Sequence, residues 1–207
     1  MTGLRERKRA RTHAAISEAA IALFLEHGFD QVSVVQVAEA AEVSKRTLFA
    51  YFPTKEDLVI HRFADHEDEA ARVVRARPAE VGPLTALREH FLAGLRDRDP
   101  ITGLNDIPQV LAFARLVRDT PALLARSVGF QEGSRRALAA ALVDTAGTPE
   151  LTARLAASWV VGTHWLLSMD NLDALSAGAT AEARYPAAVR DAETAFTSLS
   201  EGLGTSL

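Results

Sequence analysis

Residues Val34 to Leu58 read VVQVAEAAEVSKRTLFAYFPTKEDL, and two short amphipathic helices are written there back to back. Val34, Val37, Ala38 and Ala41 recur at i, i+3, i+4 and i+7, which lays one apolar stripe along a helix of about two turns. Val43 and Ser44 break that pattern. Ser44 is a good N-cap, and the helix it opens, Lys45 to Tyr51, has to stop before Pro53, whose ring disfavours helical geometry at Phe52. Thr54 caps a third helix. The middle helix has only Leu48 and Phe52 to bury, so Lys45, Arg46, Thr47, Phe49 and Tyr51 stay outside as cations, donors and aromatic edges. A helix-turn-helix that enters a DNA groove needs this division of labour.

Upstream, Thr12 to His27 reads as a longer amphipathic helix with Ile16, Ala19, Ala20, Leu23, Phe24 and His27 on one face and Gly28 as its stop. That helix can roof the two short ones. Before it lies LRERKRAR, where Arg5, Arg7, Lys8, Arg9 and Arg11 stand against the single acid Glu6. Such a basic arm can follow phosphates or enter a minor groove.

These residues resemble the TetR family of transcriptional regulators. The resemblance rests on Ala14, Ile16, Ala19, Ala20, Leu23, Phe24, Gly28 and Phe29, then Ser33-Val34, Val37-Ala38, Ala41, Val43-Ser44, Thr47-Leu48-Phe49, Tyr51-Phe52 and Lys55-Glu56-Asp57-Leu58. It covers the first third of the chain. Two departures stand out: Glu42 occupies a turn, and Arg46 a helix position, where the family often has Gly. A non-Gly residue in a left-handed turn costs roughly 1 to 2 kcal/mol. The resemblance implies that Ser33, Thr47, Tyr51 and Lys55 hold the phosphate backbone, and Ser44, which caps the reading helix, is a DNA-contact candidate beside them. Lys45, Arg46 and Phe49 project toward base edges, and Tyr51 has an alternative role packing on Phe24.

The chain has 207 residues, 48% hydrophobic and 24% charged, which supports one large or two small folded domains and argues against disorder. A net charge of −4 looks wrong for a nucleic-acid binder until it is divided. Residues 1–62 hold nine Lys or Arg against eight Asp or Glu; residues 63–207 hold fourteen against nineteen. All three lysines, Lys8, Lys45 and Lys55, lie in the first part. The asymmetry suggests a DNA-facing end and an acidic remainder repelled by phosphate. No cysteine is present, so disulfides, thiolate catalysis and Cys-ligated zinc are excluded. Glu18 and Glu26 interrupt the apolar stretch after the basic start, which argues against a signal peptide. The longest uncharged run, Leu155 to Met169, is too short to span a bilayer. The expectation is a cytoplasmic protein with no membrane partner.

Beyond Leu58 the sequence reads as helices punctuated by Pro and Gly. One long helix is expected over about 55–77, ended by Pro78. Others follow at Gly82 to Asp97, Pro108 to Arg118, Thr120 to Ala146 and from Thr148-Pro149-Glu150 to Met169. Asn171 to Ala183 reads as a loop, and a last helix runs from Arg184 or Pro186 to Gly202. The expected fold is all-α, with about nine helices: a helix-turn-helix domain over 1–58, then a helical ligand-binding and dimerisation domain over 59–207.

Three further expectations follow from the resemblance. First, one helix-turn-helix touches too little DNA to be specific, so two copies are held together; Trp159, Gly162, Val189, Ala192, Phe196, Leu199 and Leu203 are candidates for the contact, although the same stripes can complete an intramolecular core. Second, the central helices enclose a small-molecule effector and tilt the helix that follows the reading head. Phe91, Leu95, Leu104, Val110, Phe113, Val117, Phe130, Trp159 and Trp165 are candidate apolar lining, with Gln131, Arg135, His164 and Asn171 as polar groups; plain core packing is the alternative for each apolar member. Third, FARLVRDTPALLAR (Phe113 to Arg126) with Arg135-Arg136 is similar to mycofactocin-system regulators that respond to acyl-coenzyme A. Arg115, Arg118, Arg126 or Arg135 would then meet an acidic head group, unless they pair with acids such as Asp119 and Glu132.

Rival classes have less behind them. His61, Asp65, His66, Asp68 and Glu69 lie on one expected helix, where i, i+4 pairs can bind a metal, but no HExxH, GxSxG, P-loop or dinucleotide glycine pattern accompanies them. The reading is therefore a non-enzyme with no resident cofactor or metal. The basic arm and first helix can also meet anionic lipid, and Glu18 and Glu26 oppose insertion.

Overall fold

A computed structural model describes residues 3–203, and the side chains of Leu4, Arg5 and Leu203 fall outside that description. The expectations placed on Arg5 and Leu203 therefore lie outside the described residues. Ten α segments follow one another: α1 Gly3–His27, α2 Val34–Ala40, α3 Lys45–Tyr51, α4 Asp57–Ile60, α5 Glu69–Ala76, α6 Pro83–Asp97, α7 Pro108–Asp119, α8 Pro121–Ala146, α9 Glu150–Ser176 and α10 Ala181–Leu203. Among the described residues there is no strand, and no helix is long and apolar enough to cross a membrane. If α4 and α5 are counted as two ends of one interrupted helix, the described residues form nine helices, and the fold is all-α.

The chain divides into two units: a head, running to Arg62 and taking in Arg115–Ser127, and a body, Phe63–Ala114 with Val128 onward. The head is built as the apolar stripes dictate. Ile16, Ala20 and Phe24 of α1 are buried, as are Val37 and Ala38 of α2, Leu48 of α3, Phe52, and Leu58, Val59 and Ile60 of α4. Helix α1 packs on both α2 and α4. It ends at Gly28, whose φ of +85° is open to glycine at little cost and whose N–H returns to the Phe24 carbonyl at 2.9 Å. The basic stretch that reads as an arm is helical from Gly3, so Arg7, Lys8, Arg9 and Arg11 project from turns of α1 rather than along an extended strand.

The single helix expected over 55–77 is not continuous. Four residues of α4 give way to a 3₁₀ stretch, His61–His66, before α5 begins. The Asp65 carbonyl, which an unbroken helix would give to the Glu69 N–H, accepts instead from the Arg72 guanidinium, which also bonds the Asp68 carboxylate at 2.9 Å. The Glu67 N–H turns to Ala64 in a tighter i→i−3 bond of 3.2 Å.

In the body, Leu87, Phe91 and Leu95 of α6 meet Leu138 and Leu142 of α8, Val160 of α9 and Phe196 of α10 in one core. Asn171 corrects a second expectation. It is buried in an α9 that continues to Ser176, donates to the Thr102 carbonyl at 3.0 Å and accepts from Arg184 Nε at 3.0 Å. It is a structural bridge, and the loop shrinks to residues 177–180. Helix α10 then starts at Ala181, earlier than Pro186 suggests, because the Thr180 hydroxyl accepts from the Ala183 N–H and Asp106 accepts from the Ala181 N–H at 2.8 Å. A proline in the second turn removes only one backbone donor, and Pro186 sits inside the helix.

Candidate nucleic-acid interface

Two capped helices carry the surface. Ser33 closes a capping box on α2: its hydroxyl accepts from the Gln36 N–H at 3.2 Å, and the Gln36 side chain accepts from the Ser33 N–H at 2.8 Å. Ser44 caps α3 by accepting from the Thr47 N–H at 3.0 Å, and the Ser44 and Thr47 hydroxyls bond each other at 2.8 Å. Each cap satisfies a donor that a helix of seven residues would otherwise leave bare. Between the helices Glu42 takes φ +52°, the left-handed geometry expected at that turn. With Leu48 buried, α3 presents Lys45 and Arg46 fully to the outside, Thr47 partly, and Phe49 at 39% exposure. Lys45 Nζ lies 5.9 Å from the Phe49 ring centre. An α-helix fits the major groove, and a cation with an aromatic edge at its tip suits base edges and thymine methyls.

Two of the residues assigned to phosphate have other partners. Lys55 Nζ donates to the Phe29 carbonyl and sits 4.2 Å from the Phe29 ring and 5.5 Å from the Phe24 ring. Burial lowers its pKa, against the pull of Asp30 and Glu56. Lys55 thus pins the turn after α1. Tyr51 meets His13 edge-on at 6.3 Å, with the Arg9 guanidinium 5.8 Å from its ring, and does not pair with Phe24, whose ring partner is Phe29. Arg7, Lys8, Arg9 and Arg11 are exposed along the start of α1, and Arg7 Nε donates back to Gly3.

Behind this surface His13 packs between Phe52 at 4.4 Å and His61 at 4.8 Å. Burial lowers the pKa of both histidines. The Arg9 charge adds to this at His13, and at His61 the Asp57 carbonyl bond opposes it. Asp57 joins the segments of the head: its Oδ2 accepts from the Thr54 N–H at 3.1 Å, and its Oδ1 receives Arg126 of α8 at 2.8 and 2.9 Å. No spacing in the sequence links residues 69 apart, so this pair was missed.

The effector candidates scatter. In the body, Leu95 and Leu104 are wholly buried and Phe91 nearly so. Val110, Phe113, Phe130, Gln131, Arg135 and Trp165 are half-buried, and Phe113 lies 6.0 Å from Phe63. Val117 belongs to the head. His164 stacks on Phe91 at 5.0 Å and meets Phe196 at 5.7 Å. Near it, Glu69 offers its two carboxylate oxygens to His66 Nδ1 at 2.7 Å and His90 Nε2 at 3.0 Å. The histidines hold the Glu69 carboxyl well below the usual range, and Glu69 raises both of theirs. His90 was not singled out because nothing local ties it to a residue 21 positions away. The arginines considered for an acyl-coenzyme A head group pair within the chain: Arg118 with Asp119 at 2.7 Å, Arg126 with Asp57, and Arg135 with Glu132 at 3.1 Å.

The dimer candidates divide. Ala192 and Phe196 are buried in the body's own core, where α10 meets α6 and α9, and Val189 and Leu199 pack against that core while remaining partly exposed. Trp159, at 43% exposure, and Gly162 instead belong to an open stripe on α9 with Leu151 (66%), Leu155 (45%) and Leu166 (58%).

A capped, cation-bearing helix set against two supporting helices defines a helix-turn-helix DNA-binding protein. Residues 16–61 match the family described as bacterial regulatory proteins, tetR family. The HTH-type transcriptional regulator TcmR of Streptomyces glaucescens is 34% identical over 185 residues, spanning 84% of this chain and 82% of TcmR. MftR of Mycobacterium tuberculosis, a regulator assigned provisionally to mycofactocin biosynthesis, is 31% identical over 133 residues, 64% of this chain and 65% of its own. Among solved structures, NalD, the secondary repressor of the MexAB-OprM multidrug efflux pump in Pseudomonas aeruginosa, superposes with a TM-score of 0.58 at 17% identity, over 97% of this chain and 100% of NalD. The chain belongs to the TetR family and is a DNA-binding transcriptional regulator.

Proposed function

We propose that the protein is a cytoplasmic repressor that binds a palindromic operator as a homodimer and leaves it when a small, mostly apolar effector occupies the body. The reading part lies within about residues 1–58 and the effector-binding and dimerising part within 59–207. The observation that carries this reading is α3, whose Lys45, Arg46 and Phe49 stand outside while Leu48 anchors it from within.

Arg46 reads a base, since arginine to guanine is the commonest specific contact and discriminates by roughly 1 to 3 kcal/mol. Ser33, Thr47 and the cations of α1 hold phosphates. The exposed α9 stripe supports a second copy as its occupant, because four large apolar side chains on one helix face are unusual on an isolated surface. The effector releases DNA by binding the non-reading conformation more tightly, a tenfold release needing about 1.4 kcal/mol of preference.

Selection of bound fragments from random duplex DNA tests the reading. Two inverted half-sites about one helical turn apart are expected, from a protein that sediments as a dimer and becomes monomeric with Trp159→Asp. An enrichment of no duplex, or a monomer on a single asymmetric site, overturns it.

A further inference from the structure

His164 Nε2 is a buried polar atom without a hydrogen-bond partner, the only one among the described residues of the body. Leaving such a group unpaired costs roughly 1 to 3 kcal/mol, and a phenylalanine would fill the same volume without that cost. The surroundings favour a ring. Phe91 of α6 lies nearly parallel to the imidazole, with 24° between planes, and Phe196 of α10 tilts toward it at 55°. Burial and the nearby His90 push the His164 pKa down to about 4, with Glu69 opposing, so the imidazole is neutral at pH 7.

These facts restrict what can meet Nε2. A charged group carried into this apolar setting would remain uncompensated, because Glu69 is already engaged by His66 and His90. A neutral hydroxyl suits either tautomer of the imidazole: it donates to a bare Nε2 or accepts from Nε2–H. Phe91 and Phe196, whose rings lie 5.0 and 5.7 Å from the imidazole, are the stacking and edge partners that an aromatic ring carrying that hydroxyl prefers.

We propose that His164 is the polar anchor of an effector site for a neutral hydroxylated aromatic molecule, a phenol in chemical class, that sits among the Phe91, His164 and Phe196 rings and hydrogen-bonds Nε2. The proposal rests on the ligand-responsive reading above and specifies it. Nε2 is sealed in the conformation described, so seating a phenol obliges Phe91 or Phe196 to yield. The occupied and empty bodies then differ in α6 or α10, which gives the effector its preference for one conformation.

The probes are 2-naphthol and naphthalene, compared by calorimetry on the full-length protein and on His164→Phe. Wild type binds 2-naphthol about tenfold more tightly than naphthalene, the size of one hydrogen bond. His164→Phe melts no lower than wild type and binds the two probes alike. Should that variant fail to fold, the imidazole ¹⁵N resonances of wild type decide: the His164 Nε2 signal moves with 2-naphthol and stays with naphthalene. No binding of either probe, or a preference that survives in His164→Phe, overturns the proposal. Binding to the selected operator is measured on the same samples. Intact DNA binding without a 2-naphthol response sinks this site alone, whereas loss of DNA binding by untreated wild type sinks the regulator reading.

Discussion

The head keeps its working side chains outside, whereas the body buries the Nε2 of His164 and sets a partly exposed Glu69, His66 and His90 cluster beside it. In the head Lys45, Arg46 and Phe49 stand on a helix held by one buried leucine and one serine cap. In the body the notable groups, His164 and the Glu69 carboxylate between two histidines, are brought together by α5, α6, α9 and α10 and are coupled to packing. Surface function can thus be altered with little cost to the fold, while function set in a core cannot change without moving helices.

The sharpest break of this contrast is Leu48→Ala. Removing a fully buried leucine costs about 2 to 5 kcal/mol, enough to unfold so small a head and abolish DNA binding; hydrogen exchange should show α1–α3 unprotected and α9 unchanged. Loss of protection throughout would mean that the units are not separable. Lys55→Met comes next. If Lys55 pins the Phe29 carbonyl, the variant loses about 1 to 2 kcal/mol of head stability and keeps the salt dependence of DNA binding. If it holds phosphate, stability stays and the slope of log K against log salt falls by about one. Glu42→Gly relieves the left-handed turn and should stabilise the head by about 1 kcal/mol in thermal melts, with operator affinity unchanged.

The smallest effect is a difference in pH response. His66 and His90 have folded pKa values raised above the ordinary 6.5 by Glu69, so their contribution is present below that value and lost as pH rises through the raised ones. His13 and His61 are lowered by burial, so theirs is present above 6.5 and lost as pH falls. Taking the pH from 6.5 to 8.5 should therefore weaken exchange protection, corrected for the intrinsic rate, in α5 and α6 but not in α1–α3. Going down to pH 5 should weaken the head through His13 and His61, and also the body's helices around His164, whose pKa burial lowers to about 4. A parallel loss in both units between pH 6.5 and 8.5 would contradict the assignments.

How far the sequence could be read follows the same line. In the head, caps, turn and stop are local: Ser33, Ser44, Glu42 and Gly28 act within a few residues of themselves. Spacing conveys the Ser44 cap and the Gly28 stop and the family pattern conveys the turn at Glu42, whereas the resemblance assigns Ser33 to phosphate and misses its capping box with Gln36. The body yielded its helices but not their ends or faces. Asn171 looks like a loop residue until Thr102 and Arg184 bond it inside α9. The expected helix over 55–77 conceals a break because Arg72 captures the Asp65 carbonyl. The stripe of Val189, Ala192, Phe196 and Leu199 was legible as apolar, but periodicity does not say whether the chain's own core or a second copy covers it. Lys55 shows the limit even in the head, since a lysine that the resemblance assigns to phosphate points back to its own backbone.

The central claim is that α3 reads bases through Arg46. It is tested most directly by measuring the affinities of wild type and Arg46→Ala for the selected operator and for a scrambled duplex at one salt concentration. The ratio of specific to scrambled binding should fall by roughly 5- to 150-fold with scrambled binding little changed, the worth of one bidentate arginine contact. A ratio identical in the two proteins would contradict the account.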